Sequence, residues 1–323
     1  MVNFAVIGTG AIGKLHSQTI NTHSGANLVA QCDPEYSNKV DTFVPIFADI
    51  QAMLTAFPYI DVVSICTPNG MHASHAIQCM KAGKHVIIEK PLCLSRKEAD
   101  LIIFTALQHH VKVFCVMQNR FTPVAGLLKR LITTQKLGDI LEMNMFLSWN
   151  RGSQYFASTA DRLNWHGTAE LDGGPLFTQF SHFIDLIYWL FGDIKVLSAA
   201  RRNLNHNYVS DIEDCGSVTF EFAEKALGNL HYSINAPIDN ITSSVTITGT
   251  QGAISIEGQY LERIKYYKTT SDVEIPILEE QLQSGHFLTI DNVIQSLEND
   301  NSINTNALEG LKVVEIIEKI YNF

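Results

Sequence analysis

The sequence predicts an α/β protein with two domains. Residues 1–120 alternate short apolar runs with helical patterns, which indicates a doubly wound parallel sheet with helices on both faces. Residues 121–323 carry β-rich runs joined by short turns, which indicates an α+β domain with a largely antiparallel sheet. The length of 323 residues is about twice that of a typical single domain, so each part can bury its own core.

The first domain is predicted from near-continuous apolar runs, which are typical of strands in a parallel sheet. These strands are expected at Phe4–Ile7, Leu28–Cys32, Val44–Phe47, Val62–Cys66, His85–Ile88 and Val113–Val116. Amphipathic patterns between them, such as Gly70–Ala82 and Ser95–His109, predict helices that cover the sheet.

The second domain starts with helical patterns at Val124–Thr133 and Pro175–Phe191, which flank a strand at Ile140–Trp149. Further strands are expected at Ser217–Phe222, Gly228–Ile234, Ser244–Thr248 and Ala253–Glu257, and closing helices at Ser284–Glu298 and Thr305–Tyr321. Because helices cover only one face of such a sheet, we expect a second copy of the chain to bury the other face, in a homo-oligomer that is a dimer or a tetramer.

Composition excludes several classes of protein. The formal net charge of −10 argues against a general affinity for nucleic acid or anionic lipid, and no apolar run approaches the ~20 residues of a membrane span. The N-terminus shows no secretory signal, and the six cysteines stand singly without a C-x-x-C pair. We therefore expect a cytoplasmic protein with reduced thiols and no metal site.

A glycine-rich turn follows the first strand. Gly8-Thr9-Gly10-Ala11-Ile12-Gly13 is a G-x-G-x-x-G that opens the first helix, as in the Rossmann fold, where such a turn holds the pyrophosphate of a dinucleotide. Asp33 ends the next strand, where a carboxylate accepts hydrogen bonds from the adenosine ribose. The cofactor is expected to be NAD, since Asp33 would repel a 2′-phosphate and residues 34–38 contain no arginine; Lys39 leaves NADP open.

A lysine follows the fifth strand, at the sheet edge where ligands of open α/β folds bind. From this position in Glu89-Lys90-Pro91, Lys90 can stabilise the alkoxide that forms as a hydride leaves an alcohol. Together with the glycine turn, this tripeptide resembles the Gfo/Idh/MocA oxidoreductase family, whose members bind a nicotinamide cofactor. The resemblance covers essentially the whole chain.

Further segments carry the resemblance. Thr67-Pro68-Asn69-Gly70-Met71-His72 resembles the family's cofactor-contacting turn, Asn119-Arg120-Phe121 lies at the domain crossover, and Thr178 to Asp185 resembles the substrate-site helix. The resemblance implies Lys90 and His182 as the catalytic residues. It implies cofactor contacts from residues that include those of the glycine turn and Asp33, together with Thr67, Pro68, Asn69, His72, Glu89, Lys90 and Gln118.

The helix that holds His182 is also interpretable from its spacing. Thr178, His182 and Asp185 stand at i, i+4 and i+7, so they would share one helical face, and Pro175 suits the first turn. A histidine with an ordinary pKa of about 6.5 suits acceptance of an alcohol proton. Asp185 either orients the imidazole or anchors the helix. Thr178 departs from the aspartate or asparagine of many relatives, so a two-carboxylate relay is not expected.

Two polar-aromatic segments, Trp149–Tyr155 and Trp165–Gly174, predict the substrate. Arg151, Tyr155 and Trp165, with Thr178, His182 and Lys90, form the expected substrate site, and Arg162 is a second candidate. Aromatic planes suit a sugar and a base, and a guanidinium suits phosphate. These segments resemble the branch of the family that oxidises UDP-N-acetylglucosamine or its glucuronate at the 3-position. Arg201 and Arg202 are expected in solvent at a strand end.

The function expected from these features is NAD-dependent oxidation of a sugar hydroxyl to a ketone, most simply the 3-hydroxyl of a UDP-N-acetylated hexose or hexuronate. Two alternatives stay open. One is an inositol or free-sugar dehydrogenase with the same catalytic pair, in which the polar-aromatic segments merely cover the site. The other is a cofactor-binding sensor without turnover, against which the presence of both Lys90 and His182 argues.

Overall fold

A computed structural model describes residues 1–35, 44–157, 165–208, 210, 212–270, 278 and 283–323. Lys39, Arg162 and residues 36–38 lie outside the described residues. The described chain divides into two compact units. Unit 1 contains Met1–Gln118 and Gln283–Glu315; unit 2 contains Asn119–Ala157, most of residues 165–282 and Ile316–Phe323.

Unit 1 is built on a parallel sheet in the order β3-β2-β1-β4-β5-β6. The strands are β1 (Val2–Ile7), β2 (Ala26–Cys32), β3 (Ile46–Phe47), β4 (Val62–Ile65), β5 (His85–Ile88) and β6 (Val113–Cys115). All six predicted strands are present, with ends that differ by at most two residues, because apolar side chains fill both faces of the sheet.

Several helices of unit 1 start at a side-chain cap. The helices of this unit are α1 (Ala11–Thr22), α2 (Ile50–Ala56), α3 (His72–Lys81), α4 (Arg96–His109), α9 (Gly285–Glu298) and the first part of α10 (Ala307–Tyr321). The hydroxyl of Ser95 accepts from the backbone N–H of Glu98 at the start of α4, and Asp49 and Ser284 cap α2 and α9 in the same way. These contacts satisfy N–H groups that have no partner within the helix.

Segment 283–315 was predicted to lie in the second domain, but it packs in unit 1. The reason is the apolar face of α9, where Ile290, Val293 and Ile294 are buried with Phe4 and Val6 of β1 in one core cluster. This long-range packing has no local signal in the sequence. The break at Gln118 lies close to the expected boundary at residue 120.

Unit 2 is built on a seven-stranded sheet in the order β13-β12-β11-β7-β10-β9-β8. The strands are β7 (Ile140–Ser148), β8 (Ile194–Arg202), β9 (Cys215–Phe222), β10 (Leu227–Ser233), β11 (Thr242–Gly249), β12 (Gly252–Glu257) and β13 (Arg263–Thr269). Neighbours pair antiparallel except β7 and β10, which run parallel. The sheet is thus largely antiparallel, as predicted, and the two edge strands β8 and β13 are additional to the prediction.

The sheet of unit 2 is buried on one face. Alternate residues such as Met145, Tyr232 and Ile247 point into the core, whereas their neighbours remain accessible. The helices of this unit are α5 (Pro123–Thr133), α6 (Ser153–Phe156), α7 (Pro175–Thr178), α8 (Ser181–Phe191) and the end of α10. Within the described residues, no helix is both long and apolar enough to cross a membrane.

Candidate active site

The carboxyl ends of the unit 1 strands form the cofactor edge. In a sheet of this order, the chain leaves β1 and β4 in opposite directions, and the resulting crevice is where dinucleotides bind. The structure brings four predicted segments to this edge, at the ends of β1, β2, β4 and β5. They are the turns that begin at Gly8, Asp33, Thr67 and Glu89.

The glycine turn needs glycine at its first and last positions. Gly8 has a φ of +89°, and a Cβ there would lie 2.6 Å from the carbonyl oxygen of Cys66. A Cβ at Gly13 would lie 1.8 Å from the carbonyl oxygen of Gly8. The chain enters α1 from Gly10, an N-cap without a side-chain cap bond, and the first N–H groups of such a helix fit a bound pyrophosphate.

Asp33 lies against this turn. One carboxylate oxygen, Oδ2, accepts from the backbone N–H of Thr9 at 2.7 Å and from its hydroxyl at 2.9 Å, and Oδ1 accepts from the N–H of Glu35 at 3.0 Å. The carboxylate is half-buried and fixed in direction. An acid in this place fits the hydroxyls of an adenosine ribose.

The turn after β4 is held by a buried histidine. The two ring nitrogens of His72 lie 2.7 Å from the carbonyl oxygen of Pro91 and 2.8 Å from that of Thr67, and burial lowers its pKa. His72 therefore ties the Thr67 turn to the segment after Lys90, and its side chain has 1% exposure. His72 thus supports the turn that carries Pro68 and Asn69, and the cofactor contact that the resemblance implies for His72 stays a prediction.

Lys90 and Glu89 follow β5 with different environments. Lys90 is half-buried, whereas Glu89 is buried and accepts from the ring of His16 at 2.8 Å. Gln118 ends unit 1 just after β6, and its Oε1 is buried without a hydrogen-bond partner among the described residues. This amide is thus placed to bind a ligand group.

In unit 2, the predicted helix is divided. Thr178 ends α7, and His182 and Asp185 lie on α8, so the expectation of one shared helical face for all three is wrong. The break arises from the backbone hydrogen bonds. The N–H groups of Gln179 and Phe180 both bond to the carbonyl of Pro175, so the α-helical hydrogen-bond pattern does not continue. Pro175 does start the first turn, after Gly174 at a φ of 107°.

Asp185 anchors α8. Its two oxygens accept from Nε and Nη2 of Arg120 at 2.8 and 2.6 Å, and both residues are buried. Such a paired geometry fixes the helix rotation. The structure therefore favours the anchoring role over an orientation of the imidazole, and His182 lies three residues earlier, buried to 7% exposure.

Thr178 binds the acid that precedes the helix. Its hydroxyl lies 2.5 Å from Oδ1 of Asp172 and 2.9 Å from the Asp172 carbonyl. The same carboxylate accepts from the N–H groups of Gly167 and Gly174 at 2.9 and 3.2 Å. Asp172 therefore holds the segment from residue 166 to α7 in one conformation. The sequence pattern singles out Thr178 but predicts no role for Asp172.

An aromatic and cationic cluster lies beside this segment. We use the name Arg151 cluster for Trp149, Arg151, Tyr155, Trp165 and His166. The guanidinium carbon of Arg151 lies 5.1 Å from the ring centroid of Trp149 and 5.2 Å from that of Tyr155. The ring of His166 stacks at 4.1 Å on Tyr155 and at 3.8 Å on Trp165.

Two polar contacts complete the Arg151 cluster. Nη1 of Arg151 donates to the carbonyl of Asn150 at 2.6 Å, whereas its Nε is buried without a hydrogen-bond partner among the described residues. Gln179 donates to the hydroxyl of Tyr155 at 2.8 Å, and burial raises the pKa of that phenol. His166 and Gln179 were not among the predicted substrate residues, although each adjoins one that was.

Of the two arginines at the end of β8, one matches the expectation and one does not. Arg202 is exposed at the end of β8, as predicted. Arg201 is only half-exposed, because its Nη2 donates to the carbonyl of Tyr321 at 2.7 Å and its guanidinium lies 4.7 Å from that ring centroid. Aromatic contact of this kind has no signal near Arg201 in the sequence.

The sheet order, the glycine turn and Asp33 of unit 1 define a dinucleotide-binding domain. Comparison with known proteins agrees: residues 2–117 match the model of an oxidoreductase family with an NAD-binding Rossmann fold, and residues 127–255 match the C-terminal domain of the same family. The chain belongs to the Gfo/Idh/MocA family, and it is an NAD(P)-dependent oxidoreductase that acts on a CH–OH group.

Individual relatives are similar over most of the chain. The WlbA dehydrogenase of Bordetella pertussis, solved with NADH and UDP-GlcNAcA, is 28% identical with a TM-score of 0.89, and the match covers 99% of this chain and 95% of that one. The enzyme of the same name from Chromobacterium violaceum, solved with the same ligands, is 29% identical, with a TM-score of 0.89 and coverage of 99% and 93%. Glucose-6-phosphate 3-dehydrogenase of Bacillus subtilis is 28% identical over 231 residues, 69% of this chain and 63% of that enzyme.

Proposed function

We propose that the protein oxidises the 3-hydroxyl of a UDP-N-acetylated hexose or hexuronate to a ketone with NAD. The observation that carries this proposal is the Arg151 cluster. It combines the half-buried aromatic side chains of Tyr155 and Trp165, which suit a sugar or base, with a guanidinium whose Nε N–H has no protein partner among the described residues. An acidic chain of net charge −10 needs such a local cation to hold a diphosphate.

The similarity to known enzymes supports both parts of the substrate. The two WlbA dehydrogenases were solved with UDP-GlcNAcA, which is an N-acetylated hexuronate on a nucleotide diphosphate. The Bacillus subtilis relative is named a 3-dehydrogenase, as is the D-glucoside 3-dehydrogenase of Escherichia coli, which is 25% identical. The position of oxidation and the nucleotide are thus supported by different relatives.

The proposed chemistry assigns two roles. The glycine turn and Asp33 would hold NAD, which would supply the hydride acceptor for the reaction. His182 accepts the proton of the substrate hydroxyl, for which an imidazole is suited at neutral pH. Lys90 donates a hydrogen bond to the same oxygen and stabilises its developing negative charge. Arg120 and Asp185 hold the helix that carries His182.

The test is NAD reduction with a panel of sugars, followed by absorbance at 340 nm. UDP-GlcNAcA and UDP-GlcNAc are expected to reduce NAD. Glucose 6-phosphate and myo-inositol are tested beside them as comparison substrates for the same type of oxidation. Borodeuteride reduction of the product should place deuterium at carbon 3. Faster turnover of a free polyol would favour the inositol-type alternative, and tight NAD binding without reduction by any sugar would favour the sensor.

We also propose that the accessible face of the unit 2 sheet binds a second copy of the chain. At its centre Phe146 is 43% exposed and stacks on His231 with ring centroids 5.0 Å apart. Around them short polar side chains bond to each other, for example Asn229 to Asn144 at 3.0 Å and Thr219 to Asn229 at 2.9 Å. A face of small, mutually satisfied side chains is flat and suits sheet-to-sheet packing.

A further inference from the structure

A buried polar cluster lies behind the catalytic lysine in unit 1. Its four side chains come from separate elements: His16 from α1, Ser64 from β4, Glu89 from the end of β5 and His286 from α9. Ser64, His16 and Glu89 have 0, 1 and 5% exposure. A charged cluster at this depth costs stability unless its members bond to each other.

The four side chains form a continuous chain of contacts. Nδ1 of His16 lies 2.7 Å from Oγ of Ser64, and Nε2 of His16 lies 2.8 Å from Oε1 of Glu89. Nε2 of His286 lies 3.6 Å from the same oxygen. The other oxygen, Oε2, accepts from the backbone N–H of Lys90 at 3.1 Å.

The cluster has the dimensions of a metal site, since the ligand atoms of His16, Glu89 and His286 lie within 4.8 Å of one another. Its hydrogen bonds oppose that use. Burial alone would lower the pKa of His16, but Cys66 and Glu89 outweigh it and raise the pKa to about 10. The 2.8 Å separation of His16 Nε2 from Glu89 Oε1 fits an ion pair, in which the protonated ring offers no lone pair to a cation.

We propose that Glu89 and His16 are positioning residues for Lys90. This inference rests on the proposed function for the role of Lys90. Glu89 accepts a hydrogen bond from the backbone N–H of Lys90 where β5 ends. The backbone of Lys90 sets the direction in which the lysine side chain leaves the sheet. His16 fixes the carboxylate, and it lies one helical turn after Gly13, so one network orients both the glycine turn and the lysine.

This role differs from the one implied by the family resemblance, in which Glu89 touches the cofactor. A contact residue and a positioning residue give different kinetics. Loss of a cofactor contact weakens NAD binding. Loss of positioning leaves NAD binding intact and slows hydride transfer, because a displacement of about 1 Å at a catalytic group can cost ~10²-fold in rate.

The experiment compares Glu89→Ala, Glu89→Gln and His16→Asn in the full-length enzyme. Glutamine retains an acceptor for the Lys90 amide, so we expect turnover to fall about 10-fold in Glu89→Gln and about 10²-fold or more in Glu89→Ala. The Kd for NAD should stay within about threefold of the wild type. The primary isotope effect with sugar deuterated at the reacting carbon should increase, since the hydride step becomes limiting. A purely structural role would not produce this increase.

A matched control is His85→Asn. His85 is half-buried at the opposite end of β5 and accepts from the N–H of Lys112 at 2.9 Å, so the variant removes a comparable histidine without reaching Lys90. It should leave the turnover and the isotope effect unchanged. Melting curves with NAD establish that each variant is folded.

A second measurement needs no substrate. Peptide mass spectrometry measures the rate at which an amine-reactive reagent modifies Lys90. This rate should change most in Glu89→Ala, less in Glu89→Gln and not at all in His85→Asn. Unchanged labelling and turnover in folded Glu89→Ala would overturn the proposal, as would a parallel loss of NAD affinity or stoichiometric zinc in the purified enzyme. If the wild type oxidises no sugar, the proposed function fails while the labelling still decides this inference.

Discussion

The buried ion pair of Arg120 and Asp185 allows a quantitative prediction. The side chains have 5 and 0% exposure and make two bonds of 2.8 and 2.6 Å, so neither charge can reach water when its partner is lost. Removing one partner of such a pair costs about 3–5 kcal/mol, whereas replacing both by apolar groups of similar volume is close to neutral. We therefore expect Asp185→Leu and Arg120→Met each to lose about this amount and the double variant to recover most of it.

Urea unfolding monitored by tryptophan fluorescence measures the stability of unit 2, which contains the ion pair. All three tryptophans, Trp149, Trp165 and Trp189, lie in unit 2, and the guanidinium of Arg120 lies 5.6 Å from the ring centroid of Trp189. The fluorescence midpoint thus reports the unit that contains the pair. Losses below ~1 kcal/mol in the single variants, or additive losses in the double variant, would refute a buried and desolvated pair.

Further predictions concern cofactor, proton transfer, assembly and pH. Asp33→Ala should weaken NAD binding by about 1–2 kcal/mol and reduce discrimination against NADP, measured by titration of both cofactors; an unchanged affinity ratio would remove Asp33 from the site. His182→Asn should lower turnover by ~10²–10⁴-fold with NAD affinity intact, and near-normal turnover would assign the base elsewhere. Phe146→Lys should reduce the oligomer mass in sedimentation, whereas Leu204→Lys, at an exposed residue outside that sheet face, should not. Because the pKa of His16 is raised from 6.5 to about 10, its contribution to stability is complete below pH 6.5 and is lost as pH rises towards 10. The difference in unfolding free energy between wild type and His16→Asn should therefore shrink over this range, and a constant difference would contradict the ion pair.

The sequence was informative wherever local pattern and chemistry coincide. The apolar strands of unit 1, the glycine turn and Asp33 could be placed because each has a local signature, and the structure brings their turns to one sheet edge. The return of α9 to unit 1 could not be foreseen, since Ile290 and Val293 look the same in any amphipathic helix. Their partners on β1 are more than 280 residues earlier in the chain.

The candidate site also contains features with a local sequence signature and features without one. Arg151, Tyr155 and Trp165 were predicted by residue type, and the structure gathers them in one cluster. The spacing of Thr178 and His182 suggested one helix, but the N–H of Phe180 bonds to the carbonyl of Pro175 and the helix divides between Thr178 and His182. Hydrogen bonds that compete with a helical ladder have no periodic signature, so spacing alone could not locate this break.

The most direct test of the account is ligand protection of the NAD-loaded enzyme against thermal unfolding. A ligand at 100 times its Kd adds about 2.7 kcal/mol to the stability of the folded state. UDP-GlcNAcA or UDP-GlcNAc should raise the melting temperature at concentrations where myo-inositol and glucose 6-phosphate do not. Arg151→Ala should abolish this protection and retain protection by NAD alone. Equal or stronger protection by the free polyol, or full protection of Arg151→Ala by the UDP-sugar, would contradict the assignment of a nucleotide-sugar site to the Arg151 cluster.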